Sequence, residues 1–436
     1  MLKKFTDSGL LTYRRSQFFR NTLKLVFGTG IAQVISVLLS PVMTRLYTPD
    51  DFGLYSFYIY IVAGFVLISS LRYELAIVFS KDEKDALNVF SLSVIIDLAI
   101  SFLLLILVII YNLYFIKIYP INKVLSQWLY ALPLLVFSLG LSNIIQNWLV
   151  REKAYHVISF GKVVNSVGNN FSMVLLGFIG IGAWGLFTGY FAGTIIFVLF
   201  LVFQLYRRKW SIKGMVDRNS IKKMADRHKD LPLSNTPQAI SELMQNYGII
   251  FMTKLFFSST VVGLYALSMR ILQAPLWLIG GAILQVYMQD ASERFNKNEN
   301  IEFLLKKTIK MAFLSGLPLL ILLLAAGPWL FGIVFGAQWR EAGVYARILA
   351  PWMFIDFIRY SISQTPLIVG KTRTMFFISL AGNVMMIIAL IIGGLIVKDV
   401  KIAFMILSVL MGSYSATVVI WMQSITRGNR QAVPEK

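Results

Sequence analysis

Twelve apolar stretches of about 20 residues, each the length that crosses a hydrocarbon core as a helix, are the feature that most limits how this chain can fold. They run approximately over 22–44, 53–79, 87–115, 128–150, 155–178, 183–206, 234–256, 263–288, 308–327, 343–367, 375–397 and 402–423. The composition agrees, with 57% apolar residues and a mean hydropathy of +0.70. A bilayer offers backbone groups no water, so each stretch must satisfy its own hydrogen bonds within a helix. The fold class this predicts is an all-α polytopic membrane protein, with twelve transmembrane helices in two pseudo-symmetric six-helix lobes around a central cavity.

Against this apolar background, six cations lie at span depth: Arg72, Lys162, Lys254, Arg270, Arg347 and Arg359. Each costs on the order of 2.5–3.5 kcal/mol on insertion, so such residues normally face a polar cavity and a partner. Only Glu74, Asp97, Glu242 and Asp356 oppose them at comparable depth. The imbalance points to an anion held within the membrane. Lys254 and Arg347 stand within about two turns of the outer interface and can snorkel to it, which leaves Arg72, Lys162, Arg270 and Arg359 as the deeper candidates.

Net charge +20 suggests nucleic acid at first sight, but its distribution excludes that partner. With a cytoplasmic N-terminus, 29 of the 41 Lys and Arg fall on cytoplasmic segments, counting Lys24 and Lys310 at the inner ends of their spans. Nine lie between Arg207 and Lys229 alone. This is the positive-inside pattern, which sets topology and meets anionic lipid. No loop is large enough to fold into a basic nucleic-acid surface. Without cysteine there are no disulfides and no thiolate chemistry, and His156 and His228 are too far apart in sequence to make a metal site. No cofactor and no catalytic group is expected. The basic start, Met1 to Arg20, reads as a cytoplasmic surface segment rather than a cleaved signal.

An internal repeat divides the chain. Gly53-Leu54-Tyr55 opens the second span and Gly263-Leu264-Tyr265 the eighth, while Lys153 and Asn165 at span five match Lys371 and Asn383 at span eleven. Ordered matches in equivalent spans indicate duplication, and an even number of spans per half puts the symmetry axis along the membrane normal. The expected organisation is an N-lobe over 1–206, a basic linker over 207–233 that reads first as a solvated loop, a C-lobe over 234–426 and a tail over 427–436. Gly185, Gly189 and Gly193, at spacing four in span six, mark close helix packing and not a phosphate loop.

Several spans carry polar faces. Lys162, Asn165 and Asn169 share one face of span five, and span four adds Asn143, Gln146 and Asn147. Amides donate and accept together, as the hydroxyls of a glycan require, although interhelical hydrogen bonding explains the same residues. Asp356 and Arg359 are three apart on span ten and can pair, either as a structural bridge or at a cavity. Arg72 and Glu74 are two apart, about 200° around a helix, and are expected to point away from one another. Glu74, Glu242 and Asp356 are candidates for ion coupling or charge balance.

Three segments resemble a known family. Thr44-Arg45-Leu46-Tyr47-Thr48-Pro49-Asp50-Asp51-Phe52-Gly53-Leu54-Tyr55, Phe335-Gly336-Ala337-Gln338-Trp339-Arg340-Glu341-Ala342-Gly343 and Val369-Gly370-Lys371 are similar to segments of Wzx-type O-antigen flippases. These belong to the multidrug/oligosaccharidyl-lipid/polysaccharide exporter superfamily. The resemblance implies an undecaprenyl-pyrophosphate-linked oligosaccharide as cargo for O-antigen, capsule or related polymers, carried from the cytoplasmic to the periplasmic leaflet of a bacterial inner membrane. It also implies a polymerase or other assembly proteins as partners, while the Lys/Arg asymmetry predicts that both chain termini are cytoplasmic and that the basic segments meet membrane lipid. Where relatives often carry an acid late in span seven this chain has Tyr247, and Glu242 is its nearest acid. The rival reading is a drug/cation antiporter of the same superfamily, which calls for a carboxylate-rich cavity. A membrane-embedded polymerase is a third, but no outer loop exceeds about fifteen residues to house its catalytic groups.

Overall fold

The computed structural model describes residues 28–117, 122–208 and 216–428. Among them there is no β-strand. Among the described residues each of the twelve apolar stretches is met by a helix, the second one broken near its end, and nine helices are long and apolar enough to cross a membrane. The exceptions among the long helices are Tyr155–Phe178, Thr236–Phe256 and Arg340–Ser361. They are the expected fifth, seventh and tenth spans, whose apolar character is diluted by the Asn, Gln and charged residues of the polar faces.

The chain divides into two compact units. The first holds 1–46 and 58–242, the second 47–57 and 243–436. In the first, α1 (Gly28–Leu46) leads to α2 (Pro49–Ile68), which ends early. Leu71 and Arg72 take left-handed backbone angles, φ 50° and 66°, and the chain resumes as a 3-10 turn (Tyr73–Leu75) and a short α3 (Ala76–Phe79). Then follow α4 (Glu83–Ile110), α5 (Lys123–Leu129), α6 (Leu132–Arg151), α7 (Tyr155–Phe178) and α8 (Ala183–Arg207). The spaced glycines do what their pattern predicts. A Cβ on Gly189 would lie 2.6 Å from the backbone nitrogen of Met173, and one on Gly193 2.3 Å from that of Asn169, so α8 seats directly on the α7 backbone.

The basic linker is more than a solvated loop. After the undescribed residues 209–215 it forms α9 (Arg218–Arg227), capped by Asp217, whose carboxylate accepts from Ser220 N at 3.2 Å. Met224 is buried in an apolar cluster with Ile77, Leu87, Phe90 and Trp148, and Arg227 pairs with Asp85 at 3.1 Å. Its charged face is exposed and its apolar edge docks. His228, just after α9, is held below its ordinary range by burial and by neighbouring Arg227, with Asp85 opposing.

The second unit contains α10 (Thr236–Phe256) from Leu243 onward, then α11 (Ser259–Asn296), α12 (Glu302–Phe335), α13 (Arg340–Ser361), α14 (Thr365–Ile368), α15 (Thr372–Ile391) and α16 (Val400–Gly428). It also takes the first turns of α2. There Thr48 and Asp51 form a capping box: Asp51 Oδ2 accepts from Thr48 N at 2.9 Å and Thr48 Oγ1 accepts from Asp51 N at 3.2 Å. Phe52 stacks edge-on against the fully buried Trp339 with ring centroids 5.1 Å apart, and Gln338 Nε2 donates to Tyr47 O at 3.4 Å. Two of the three segments that carry the family resemblance therefore interlock. The repeated Gly-Leu-Tyr motifs do so as well. A Cβ on Gly53 would fall 1.7 Å from Ser259 O and one on Gly263 1.9 Å from Pro49 O, a crossing only hydrogen side chains allow.

Large apolar side chains such as Phe102, Leu199, Val409 and Ile420 are more than 60% exposed. On a soluble protein they would be a liability, but on helices of this length they are the surface that meets acyl chains.

Candidate functional site

On α7 of the first unit, Lys162 stands seven residues from the helix start, about 10 Å along it, and its ammonium donates to Thr29 Oγ1 of α1 at 2.9 Å. Above it Asn169 Nδ2 donates to Asn165 Oδ1 at 2.9 Å, and the carbonyl oxygen of Asn169 is buried with no partner. Asn170 donates to Ser36 Oγ at 2.9 Å and Ser166 Oγ to Ala32 O at 2.7 Å, so the α1–α7 seam is polar along three turns. On α6, Asn143 is exposed and its carbonyl accepts from Asn147 Nδ2 at 3.0 Å. Gln146 is half-buried and donates to Ser142 O at 3.3 Å. The amides thus fall into two groups. On α7 Asn165 and Asn169 bond one another while Asn170 ties the helix to α1, and on α6 the bonds of Gln146 and Asn147 go to that helix's own backbone.

Arg72 and Glu74 do not point apart as helical spacing predicts. The left-handed turn at Leu71 and Arg72 swings the guanidinium back, so that Nη1 lies 3.8 Å from Glu74 Oε1. Glu74 is buried and also accepts from Ser70 Oγ. Beside them lies Asp97 of α4, a residue the sequence marks only as one acid among four at span depth. It is completely buried, and neither carboxylate oxygen closes a hydrogen bond of good geometry. The available signal was the spacing Ser93, Asp97, Ser101, which lines three polar groups along one stripe of an apolar helix.

In the second unit, Arg359 and Asp356 pair as their spacing predicts: Nε donates to Asp356 Oδ1 at 2.7 Å, with side chains 17% and 22% exposed. The same oxygen accepts from Ser415 Oγ of α16 at 3.0 Å, which ties α13 to α16 through the carboxylate. Arg270 is half-buried on α11. The side chain of Glu242 lies outside the described residues. Lys254 donates to Ser259 Oγ at the start of α11. A groove of about 770 Å³ runs between α13 and α16, apolar along Ile348, Ile355 and Met405, with Arg347 and Lys401 also on its wall. Lys401 is paired with Glu341 at 3.0 Å. Among the described residues no group of three or more His, Cys, Asp or Glu converges as a metal site would require.

Comparison with known proteins assigns the architecture. Residues 42–344 match the family model described as polysaccharide biosynthesis protein. The chain is 26% identical over 380 residues to the capsular polysaccharide biosynthesis protein CapF of Staphylococcus aureus, covering 80% of this chain and 86% of that protein. Among solved structures it resembles an inward-facing multidrug resistance MATE family transporter of the MOP superfamily, with a TM-score of 0.66 at 14% identity, covering 92% of this chain and 96% of the other. It also resembles a MOP superfamily transporter from Pyrococcus furiosus reported to have a binding pocket of reversed polarity, with a TM-score of 0.57 at 14% identity over 94% and 96% of the two chains.

Proposed function

From the premise that the chain belongs to the polysaccharide biosynthesis protein family, and is a multi-pass membrane transporter of the MOP superfamily, we propose that it flips lipid-linked oligosaccharides for polymer assembly. In this reading the cargo is a polyprenyl-pyrophosphate-linked sugar unit, moved by alternating access from the cytoplasmic to the periplasmic leaflet of a bacterial inner membrane. Arg72, Lys162, Arg270 and Arg359 meet the pyrophosphate, and Asn143, Gln146, Asn165 and Asn169 meet sugar hydroxyls. The polyprenyl tail stays in lipid.

The observation that carries the proposal is Lys162. Its ammonium donates to a neutral hydroxyl, and no carboxylate forms a salt bridge with it among the described residues. A cation held this way on the polar face of a span is satisfied best by an anion that arrives and leaves, through charge-assisted hydrogen bonds. Membership of a polysaccharide biosynthesis family favours a glycan carrier as that anion. Two negative charges moving outward across an inside-negative potential of about 100 mV would gain roughly 5 kcal/mol if they crossed the whole field, enough to bias export.

The test is complementation of a strain that lacks the gene, reading surface polymer together with lipid-linked precursor on the cytoplasmic leaflet. Wild-type protein should restore polymer. Lys162→Glu and Arg270→Glu, expressed at wild-type level, should leave precursor trapped inside. Normal polymer in the deletion strain, accompanied by new sensitivity to cationic drugs, would replace this reading with that of an antiporter.

A further inference from the structure

Along its membrane-crossing length α11 presents three faces. Leu272, Leu276, Ile283 and Tyr287 are buried in the second unit, and Leu278, Ile279 and Val286 form an exposed apolar surface fit for acyl chains. The third face carries Arg270, Gln273, Trp277, Gly281 and Gln285, which spacings of three, four, four and four align in one stripe. An arginine and two glutamines are costly against acyl chains, so this stripe is a polar face of the span, and the reading above uses only its Arg270. We propose that Trp277, stacked on Tyr360 of α13, is a carbohydrate platform that binds a pyranose unit of the cargo by its C–H face while the pyrophosphate lies at Arg270. The proposal rests on the flippase reading and names the part of the cargo that this stripe selects.

The two rings lie face to face, with centroids 5.5 Å apart and planes 18° from parallel. Tyr360 is itself held in place. A Cβ built on Gly280 would lie 3.0 Å from Tyr360 Cδ1 and 3.0 Å from Phe357 Cε2, so the glycine lets α13 come close enough for its tyrosine to fill the space beside the indole. With one face covered, Trp277 is still 50% exposed, whereas Trp339, which serves packing, is fully buried. A Cβ on Gly281, one turn further along the stripe, meets no atom within 4 Å, so the stripe stays open beyond the indole. Depth sets Trp277 apart from the aromatic belts at headgroup level. It lies fourteen residues, about 21 Å, from Gly263 at the outer end of the span, past the centre of a core roughly 30 Å thick and short of its inner edge.

The chemistry fits a sugar. The face of an indole is electron-rich and the C–H groups on one side of a pyranose are its electrostatic complement, so stacking adds attraction to the burial of apolar area. A pyranose whose hydroxyls are mostly equatorial offers such a face, and one with axial hydroxyls on that side does not. Gln273, one turn toward the outer end, and Gln285, two turns toward the inner end, bring amides that both donate and accept, as hydroxyls at the ring edge require. The bond that Gln273 Nε2 makes, to Met269 Sδ at 3.8 Å, is to a weak acceptor that a hydroxyl displaces. Arg270 is seven residues from Trp277, about 10 Å along the helix, so charge and platform address separate parts of one amphiphile. The cation meets the group that all such carriers share, and the platform meets the part that differs between them, which is where discrimination arises.

The experiment uses the full chain in nanodiscs of phosphatidylethanolamine and phosphatidylglycerol, with two probes. One is the lipid-linked glycan extracted from membranes of the deletion strain, and the other is polyprenyl pyrophosphate without sugar. The ratio of their dissociation constants reads the contribution of the glycan. Wild-type protein should bind the glycan-bearing probe about tenfold more tightly. Trp277→Leu keeps apolar bulk but has no flat ring, so it should lose most of that ratio, and Trp277→Phe should keep part of it. Arg270→Gln should weaken both probes alike and leave the ratio in place. A ratio unchanged in Trp277→Leu overturns the platform, and so does equal weakening of both probes by that variant, the result a merely structural indole would give. Tyr360→Leu removes the support beneath the indole and covers the case in which Trp277→Leu does not accumulate; it too should lower the ratio, and an unaltered ratio would again overturn the proposal. Equal affinity of the wild-type protein for the two probes overturns the platform and leaves the flippase reading standing, whereas no affinity for either overturns both.

Discussion

Asp356 holds two things at once, the guanidinium of Arg359 and the hydroxyl of Ser415. Removing it strands a buried cation, and the cost is of a different order from that of losing a surface bridge. Asp356→Ala should therefore destabilise the second unit by about 3–5 kcal/mol. The neutral double variant Asp356→Asn/Arg359→Gln should recover most of that loss, since it removes both charges together. Thermal midpoints of the purified proteins decide the matter, and a single variant no worse than the double would show that Arg359 finds another anion. This pair was legible in the sequence because residues three apart on a helix share a face. Arg72 and Glu74 were not legible, for the same rule applied where it fails. Nothing in Ser69-Ser70-Leu71-Arg72 signals a helix break, as neither Gly nor Pro occurs there, yet two consecutive residues take positive φ. Asp97 was read only as a charge at depth, because a sequence shows an acid's span and stripe but not whether its oxygens find partners.

At the scale of elements, the Gly-Leu-Tyr repeat acquires a physical meaning that a count of matched letters lacks. Gly53 and Gly263 are the points at which α2 and α11 touch backbone to backbone. At each, the obstructing atom is a carbonyl oxygen, which cannot swing aside as a flexible side chain would. Gly53→Ala or Gly263→Ala should each cost about 1–3 kcal/mol or more, seen as a lowered thermal midpoint and lower accumulation in the membrane. The double variant should cost less than the sum, because the first methyl already separates the helices. Strict additivity would mean that the two glycines do not share one crossing. The glycine row of span six was read correctly from spacing alone, since close approach is the common use of small residues on one stripe. The docking of α9 was harder to see. Among its charged residues a single methionine, Met224, makes the apolar contact, and one residue does not make a detectable period.

For the whole molecule, the uneven distribution of Lys and Arg makes an orientation testable. Reporter fusions at Ala86 and Arg218 should read cytoplasmic and a fusion at Gln338 periplasmic, as the basic segments stay inside. The reverse pattern would invert every side assignment made from the sequence. The helical class was readable because hydrocarbon imposes length and polarity on a sequence more strictly than water does, whereas the ends of the helices were not, as the early end of α2 at Ile68 shows. The grouping of residues was less so, for Tyr47–Phe57 is counted with residues that lie some two hundred positions later. That has a consequence for biosynthesis. Phe52 waits on a nascent chain for Trp339, the residue it stacks on, for a time of roughly 15 to 60 s at ordinary rates of translation. During that interval the first half of the chain is already in the membrane with an aromatic hook unfilled, so the packing of α2 is completed only when the second half has been made.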